Sequence, residues 1–412
     1  MIHEIKICNI GSFQEEATLS LIATDYGKKL GGVIVREAFS PILNSCVIYG
    51  ANSSGKTQFI RALYDFQSQL RGNRYWEGSM NLQRLYNPYK FNSSTIKQPS
   101  KLEIRFDYND VEYCYKVEYD SNVYRSEALK KRVDDKWKMV FERKLESNQR
   151  HVIVLENGKN KEFPILPFVL GLSALMMPED EEVSGVAKYL AHIQICNGYN
   201  WNMMGLLWGE VQRWLGNEAE KKKRKEQIRQ FLNAVDVRQE GVEFPVSGDA
   251  SFDKITFQHN QFNEKTGNNN LVKLNIMDES NGSKWLLLLG AKVIETIENG
   301  YTLFVDELDA CFHPQVTQAI IGLFKNKKVN RNNAQLILTT HNVNLMDEKE
   351  LRRDQVWFIQ KDSYGKSELF SLADFTDVDE NTPFANWYMA NRFGATPSID
   401  GLEKVFFANQ EG

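Results

Sequence analysis

Paired cysteines are what this sequence most plainly lacks. Its five cysteines, Cys8, Cys46, Cys114, Cys196 and Cys311, are odd in number, and none stands in a C-x-x-C pair. Most lie in apolar runs such as Cys46-Val47-Ile48-Tyr49, so they read as small buried hydrophobes in a reducing compartment. The six histidines are scattered, which leaves no zinc-ligand spacing. The opening residues, Met1-Ile2-His3-Glu4-Ile5-Lys6, lack the basic segment and apolar stretch of a signal peptide. No window approaches 18 consecutive apolar residues, so no membrane span is expected and the expected location is the cytoplasm. Internal repeats and long low-complexity tracts are missing too. Nor is one sign of charge in excess. A formal net charge of −4 over 412 residues gives no general electrostatic case for nucleic acid and leaves only a local basic face open. With 42% apolar and 25% charged residues, the composition fits a soluble globular protein. The length allows two domains, or one large core with insertions.

What is present begins with strands. Extended patterns cover residues 2–8 and 16–24, with a turn at Asn9-Ile10-Gly11-Ser12-Phe13 between them. Residues 45–49 form a short continuous apolar run, the mark of a strand buried on both faces. A helical period follows from Gln58 to about Leu70. Leu102, Ile104 and Phe106 alternate with polar residues, as do Val111, Tyr113, Tyr115 and Val117; Asn109-Asp110 between the runs predicts an antiparallel hairpin. Residues 152–155 would extend that sheet. From about Leu166 to Val237 the period becomes helical, and helices are predicted over 187–195, 203–215 and 220–235. The Asn-rich segment 259–270 predicts a hairpin tip or loop. Beyond Leu271 helices (285–297, 316–325) alternate with apolar strands (302–305, 335–339). That spacing predicts a parallel sheet, joined by the strand over 45–49, with the helical insertion projecting from it. The expected organisation is an N-terminal lobe over 1–160, a helical insertion over 161–240 and a C-terminal lobe over 241–412.

Gly50-Ala51-Asn52-Ser53-Ser54-Gly55-Lys56-Thr57 matches G-x-x-x-x-G-K-[ST] in full, after a buried strand and before a helix. The glycines let the backbone wrap close to phosphate oxygens, while loop N–H groups and the helix N-terminus supply positive charge. Lys56 would reach the β- and γ-phosphates of ATP, and Thr57 would ligate Mg²⁺. The strand over 302–305 ends in Asp306-Glu307. In P-loop enzymes such an Asp completes the Mg²⁺ shell, and Glu307 would polarise the attacking water. One strand–helix–strand unit later comes Leu338-Thr339-Thr340-His341-Asn342, where His341 can hydrogen-bond the γ-phosphate. Two further features weigh less. The basic run Lys221-Lys222-Lys223-Arg224-Lys225 could meet phosphates, but Glu218, Glu220 and Glu226 make it read as a solvated helix face. Asp374, Asp377, Asp379 and Glu380 read as a polar loop, since too little chain follows His341 for a separate metal-dependent nuclease domain.

These motifs in this order resemble ABC-type ATPases, the group that includes transporter ABC domains, SMC proteins, RecF and the OLD proteins. The finer resemblance is to the RloA-like and OLD-like AAA ATPases of bacterial defence loci. It is carried by Asp278-Glu279-Ser280-Asn281-Gly282-Ser283, Asp306-Glu307-Leu308-Asp309-Ala310-Cys311-Phe312-His313-Pro314 and Ala334-Gln335-Leu336-Ile337-Leu338-Thr339-Thr340-His341-Asn342. Arg352-Arg353-Asp354-Gln355-Val356-Trp357-Phe358 and Asn391-Arg392-Phe393-Gly394-Ala395 add to it. The resemblance implies an ABC-type P-loop NTPase core of α/β class, with an antiparallel β-subdomain and a helical insertion. It implies ATP hydrolysis with Mg²⁺ in a homodimer or higher oligomer. Ser280 and Gly282 look like the ABC signature, which contacts the γ-phosphate of ATP held by the other protomer; Asn281 stands where transporters usually have glycine. Asp309 falls in the D-loop region, and Ser53 stands where many relatives have glycine. For the Q-loop, Gln69 and Gln83 lie too close to the P-loop helix, and Glu127 is the remaining candidate. The implied setting is antiphage defence, with an effector partner, a nuclease or RloB-like protein, encoded nearby. The alternative is a RecF- or SMC-like DNA-repair or DNA-maintenance ATPase that binds nucleic acid, although the long heptad arms of SMC proteins are missing. A non-hydrolysing scaffold fits less well, because the expected base Glu307 is present.

Overall fold

The computed structural model describes residues 1–24, 32–36, 39–71, 82–146, 150–156, 161–176, 180–196, 201–216, 218–235, 237, 239–245, 251–262, 264–265, 267, 269–309, 312–379 and 381–399. Cys311 and Glu380 therefore lie outside the described residues. The chain starts with β1 (Ile2–Cys8), β2 (Ala17–Ser20), β3 (Val33–Arg36), β4 (Phe39–Leu43) and β5 (Ser45–Tyr49), then α1 (Lys56–Leu70) and the single turn α2 (Leu82–Leu85). Six strands follow: β6 (Ser100–Tyr108), β7 (Val111–Tyr119), β8 (Tyr124–Val133), β9 (Lys136–Leu145), β10 (His151–Leu155) and β11 (Lys161–Pro164). Next come α3 (Gly171–Ala174), α4 (Glu181–Ala191), β12 (Gln194–Cys196), α5 (Trp201–Leu215) and α6 (Glu218–Ala234). The remainder comprises β13 (Gly241–Glu243), β14 (Thr256–Phe262), β15 (Asn269–Asn275), α7 (Asn281–Asn299), β16 (Thr302–Val305), α8 (Pro314–Lys325), β17 (Gln335–Thr339), β18 (Val356–Lys361), β19 (Ser367–Ser371) and α9 (Phe384–Met389).

Eight strands form an antiparallel sheet in the order β11-β10-β9-β8-β7-β6-β1-β2. Its hairpins are set by their turns. Asn109 and Asp110 both have positive φ (50° and 57°), as do Asp134 and Asp135 (49° and 59°), which is the two-residue turn that matches strand twist. One face is apolar, with Ile5, Leu102, Ile104, Phe106, Tyr115 and Val117 buried. The other carries cross-strand ion pairs, such as Arg105–Glu112 at 2.8 Å and Arg132–Glu112 at 3.1 Å. The six-stranded sheet has the order β12-β16-β17-β5-β18-β19, parallel from β12 to β18, with β19 antiparallel at the edge. The strand over 45–49 thus lies inside the predicted parallel sheet. Its alternation splits the core. Cys46 and Ile48 face α1 and the apolar side of the antiparallel sheet. Val47 and Tyr49 face a second core that also holds Trp208, Leu232, Trp285, Leu289 and Phe324 from α5 to α8.

Two expectations need correction. The helix predicted over 187–195 ends at Ala191, and residues 194–196 form β12, parallel to β16 with Gln194 opposite Leu303 and Cys196 opposite Val305. A three-residue buried strand is too short to show a period of its own, so in the sequence it is indistinguishable from the end of the helical pattern before it. The helical stretch also does not project. α5 and α6 pack on α7, and the Asn-rich segment is the end of the β14–β15 hairpin. A buried ionic group fastens this packing. Lys292 of α7, only 2% exposed, donates to Gln194 Oε1 at 2.8 Å and pairs with Glu210 of α5 at 2.7 Å. Arg71, just past α1, pairs with the other oxygen of Glu210 at 2.5 Å.

Candidate active site

β5 is flanked by β17 and β18, and its chain leaves the sheet at Gly50. A Cβ on Gly50 would lie 2.4 Å from the Ile359 carbonyl oxygen of β18 and 2.7 Å from Ser54 Oγ, so the loop needs glycine here. Gly55 has φ 122°, and a Cβ there would meet Ser12 Oγ and Ser367 Oγ, both at 2.8 Å. These two hydroxyls lie 2.6 Å apart and back the loop from β19 and the β1–β2 turn. Ser53 has φ 62°, a conformation that glycine takes without strain.

α1 begins directly on this loop, and no side chain caps its N-terminus. Its first N–H groups are therefore left for an external acceptor, and the helix dipole favours an anion there. Lys56 is 4% exposed and folds back, donating to the carbonyls of Gly50 (2.9 Å) and Ala51 (3.0 Å). Burial lowers its pKa, while Glu307, Asp306 and Asp309 oppose that shift. Ser54 Oγ is buried without a partner, and Asn52, Ser53 and Thr57 are exposed at the rim. The glycine cradle, the uncapped helix and the unpartnered hydroxyl fit a nucleotide phosphate chain.

The next strands add the acids. Asp306, just past β16, is buried, and its N–H donates to Cys196 O of β12 at 2.9 Å. Thr339 at the end of β17 donates its hydroxyl to Asp306 Oδ1 at 2.6 Å and accepts the Glu307 N–H at 2.8 Å. One threonine thus fixes the Asp306 carboxylate and the backbone of Glu307. Glu307 has φ 52°, an unfavourable conformation for a residue with a long side chain, of the kind that collects at functional sites. Its Oε1 lies 3.9 Å from His341 Nε2, with both side chains about 40% exposed. Burial, and after it the Lys56 charge, lower the His341 pKa, with the three carboxylates opposing. The ring is therefore neutral at pH 7 and can donate from one nitrogen while accepting at the other.

Ser280 and Gly282 lie elsewhere. Ser280 is exposed and caps α7, accepting from Ser283 N at 3.0 Å. Among the described residues, no hydrogen bond or ion pair joins either one to residues 50–57. Asp309 lies close enough to raise the pKa of Tyr49, after burial, and its Oδ1 is buried without a partner. Glu127 is not a Q-loop residue. It is buried in the antiparallel sheet, where it accepts from Gly171 N and Leu172 N at 2.7 Å and from Tyr115 Oη at 2.9 Å.

Sequence reading gave no role to Thr339, although it stands in the Thr-Thr-His motif. It missed Ser12 and Ser367 altogether, because neither carries a motif. The basic run is largely engaged within the fold. Lys223 pairs with Glu298 at 3.7 Å, Arg224 pairs with Glu220 at 3.4 Å, and Lys225 lies over the Phe244 ring. In the acidic loop, Asp374 accepts from Ser371 N and Asp379 from Asn381 N, both at 2.8 Å. No helix among the described residues is long and apolar enough to cross a membrane.

A family model described as "AAA domain, putative AbiEii toxin, Type IV TA system" matches residues 46–347. No curated protein matches the chain. Similar solved structures include a SmcHead bound to the C-winged helix domain of ScpA (12% identity, TM-score 0.46, covering 90% of this chain and 97% of that one). Two others are an SMC head domain from Thermotoga maritima (15%, 0.40, 90% and 98%) and an Smc head with an extended coiled coil bound to the C-terminal domain of ScpA derived from Pyrococcus furiosus (13%, 0.41, 90% and 96%). With TM-scores below 0.5, the conclusion rests on the family match and the chain's own sheet order. The matched span takes in the loop 50–57 and both later motif strands, so the chain belongs to this AAA family of P-loop ATPases, with an ABC-type α/β core, an antiparallel β-subdomain and a helical insertion.

Proposed function

We propose that this protein binds ATP and Mg²⁺ at residues 50–57, hydrolyses ATP where two copies meet, and uses the cycle to control a separate effector in antiphage defence. The observation that carries the catalytic part is the Thr339 bridge, which holds the Asp306 carboxylate inward and anchors the backbone of Glu307, whose carboxylate lies 3.9 Å from His341. In this reading Lys56 leaves the Gly50 and Ala51 carbonyls to meet the β- and γ-phosphates, and the α1 N–H groups hold the rest of the chain of phosphates. Thr57 and Asp306 would hold the Mg²⁺, which neutralises phosphate charge. Glu307 accepts a proton from the attacking water, and neutral His341 donates a hydrogen bond to the γ-phosphate. Ser280 and Gly282 of a second copy would close the site, which suits an exposed signature with no tie to its own loop. The defence setting and the effector, a nuclease or RloB-like protein, follow from the resemblance to RloA-like and OLD-like ATPases.

Calorimetric titration with ATP and a phosphate-release assay test this. Lys56→Ala should weaken binding, and Glu307→Gln should keep binding but lose turnover. Equal turnover by wild type and Glu307→Gln defeats the assignment. Turnover that needs DNA would favour a DNA-maintenance role over effector control.

A further inference from the structure

The segment after α9 carries a feature that the proposed cycle does not use. In Asn391-Arg392-Phe393-Gly394-Ala395, three of five residues take the left-handed conformation: Asn391 (φ 56°), Gly394 (70°) and Ala395 (60°). For alanine this is unfavourable by about 1 kcal/mol or more, since it has no side-chain hydrogen bond to offset the strain. The surroundings enforce the shape. Ala395 N donates to Gln360 Oε1 (3.2 Å), Tyr388 Oη to Ala395 O (3.1 Å), Thr396 Oγ1 to Asn391 Oδ1 (2.7 Å) and Arg392 N to Trp387 O (3.0 Å). Phe393 is buried against Phe358, Phe375 and Trp387.

The turn has a defined place. Gln360 follows Ile359, whose carbonyl abuts Gly50, so the turn stands at the loop's end of the core sheet, beside the neighbouring strand. Its one charged side chain is Arg392. The guanidinium carbon sits 3.8 Å from the Trp387 ring centroid, and the residue is exposed. Among the described residues its side chain makes no hydrogen bond or ion pair. Stacking holds the planar group while its N–H fork stays free for an oxyanion. Strain that persists because neighbours fix it is expected where a group must be pre-positioned.

We propose that Arg392 is a further phosphate-contacting residue of the ATPase cycle, donating to the nucleotide held by its own loop or by that of a second copy. The proposal rests on reading residues 50–57 as the ATP site. Arg392→Met keeps an apolar chain over Trp387 and removes the donors; Arg392→Lys keeps charge without the fork. Full-length wild type and both variants would be compared for ATP affinity by calorimetry, kcat and KM, melting temperature, and Trp387 emission against a Trp387→Phe background. Arg392→Met should lower kcat on the order of a hundredfold, as loss of a transition-state donor does, with an unchanged melting temperature. Arg392→Lys should restore only part of the loss. ATP should alter Trp387 emission in wild type but not in Arg392→Met. If Arg392 serves its own loop, ATP affinity of the single chain falls about tenfold, the order expected for one charge-assisted hydrogen bond. If it serves the second copy, that affinity holds and ATP-driven pairing of Glu307→Gln chains is lost. Arg392→Met with wild-type kcat, KM and pairing overturns the proposal. Wild type that binds no ATP would instead sink the reading of the loop, and this proposal with it.

Discussion

Two helix N-termini in this molecule are built in opposite ways. α1 starts from Gly55 with no side-chain cap, on a loop whose lysine is folded onto its own carbonyls. α7 starts from Ser280, whose hydroxyl accepts the Ser283 N–H and lies 2.9 Å from Ser283 Oγ. Both ends carry the partial positive charge of a helix N-terminus. The first leaves its N–H groups to a ligand, so it needs one to be complete. The second satisfies part of its demand internally, and Ser280 there is exposed to solvent. Under the proposed function, the contrast means that one chain carries two different halves of a phosphate site, the uncapped start of α1 and the capped start of α7.

The largest expected effect comes from cutting the tie between the two helices. Lys292→Met leaves half-buried Glu210 beside Arg71, takes the buried lysine from Glu295 as well, and should cost about 3–5 kcal/mol in urea unfolding. Burial would raise the Glu210 pKa, but Lys292 and Arg71 outweigh it and hold it at about 2. A lowered carboxyl pKa adds stability above the unfolded value, near 4.5, and loses it as pH falls toward 2. The gap between wild type and Lys292→Met should therefore be widest above about pH 5 and shrink in acid. If the gap is flat across that range, Glu210 is not the charge that Lys292 serves.

Next in size is Gly50→Ala, whose Cβ meets a backbone carbonyl that cannot swing away. It should abolish ATP binding and lower stability by about 3 kcal/mol. The matching change on the other helix, Gly282→Ala, lies within the first turn of α7 and should leave binding intact, with a change of about 1 kcal/mol or less. Equal effects of the two substitutions on binding would erase the contrast. Smallest is Ser280→Ala, which removes a cap and should cost about 1 kcal/mol in thermal unfolding. A far larger loss would mean that Ser280 is a structural residue first.

Much of the core was legible because its chemistry is local. Residues 50–57 are contiguous, and Asp306-Glu307 and His341 each end an apolar run, so strand, loop and acid could be read together. What escaped depends on distant pairing. Ser12 and Ser367, 355 residues apart, meet behind the loop without any motif. β12 is three residues long and is a strand only because β16 pairs with it. Glu127, a Q-loop candidate by position near the end of the antiparallel sheet, turns inward because two backbone N–H groups and a tyrosine demand an acceptor there. Arg392 was visible as part of a resembling segment, but the three left-handed residues around it, which give it meaning, have no sequence signal beyond Asn391 and Gly394.

The claim that two unlike halves make one site is tested most directly by sedimentation velocity of Glu307→Gln with and without ATP and Mg²⁺. Blocked turnover should hold the closed assembly, so ATP should convert single chains into pairs, or pairs into a more compact form. Adding Ser280→Arg should prevent this while each chain still binds ATP, because the lesion lies on the outward half. An unchanged sedimentation coefficient with ATP, together with normal hydrolysis by Ser280→Arg, would contradict the account.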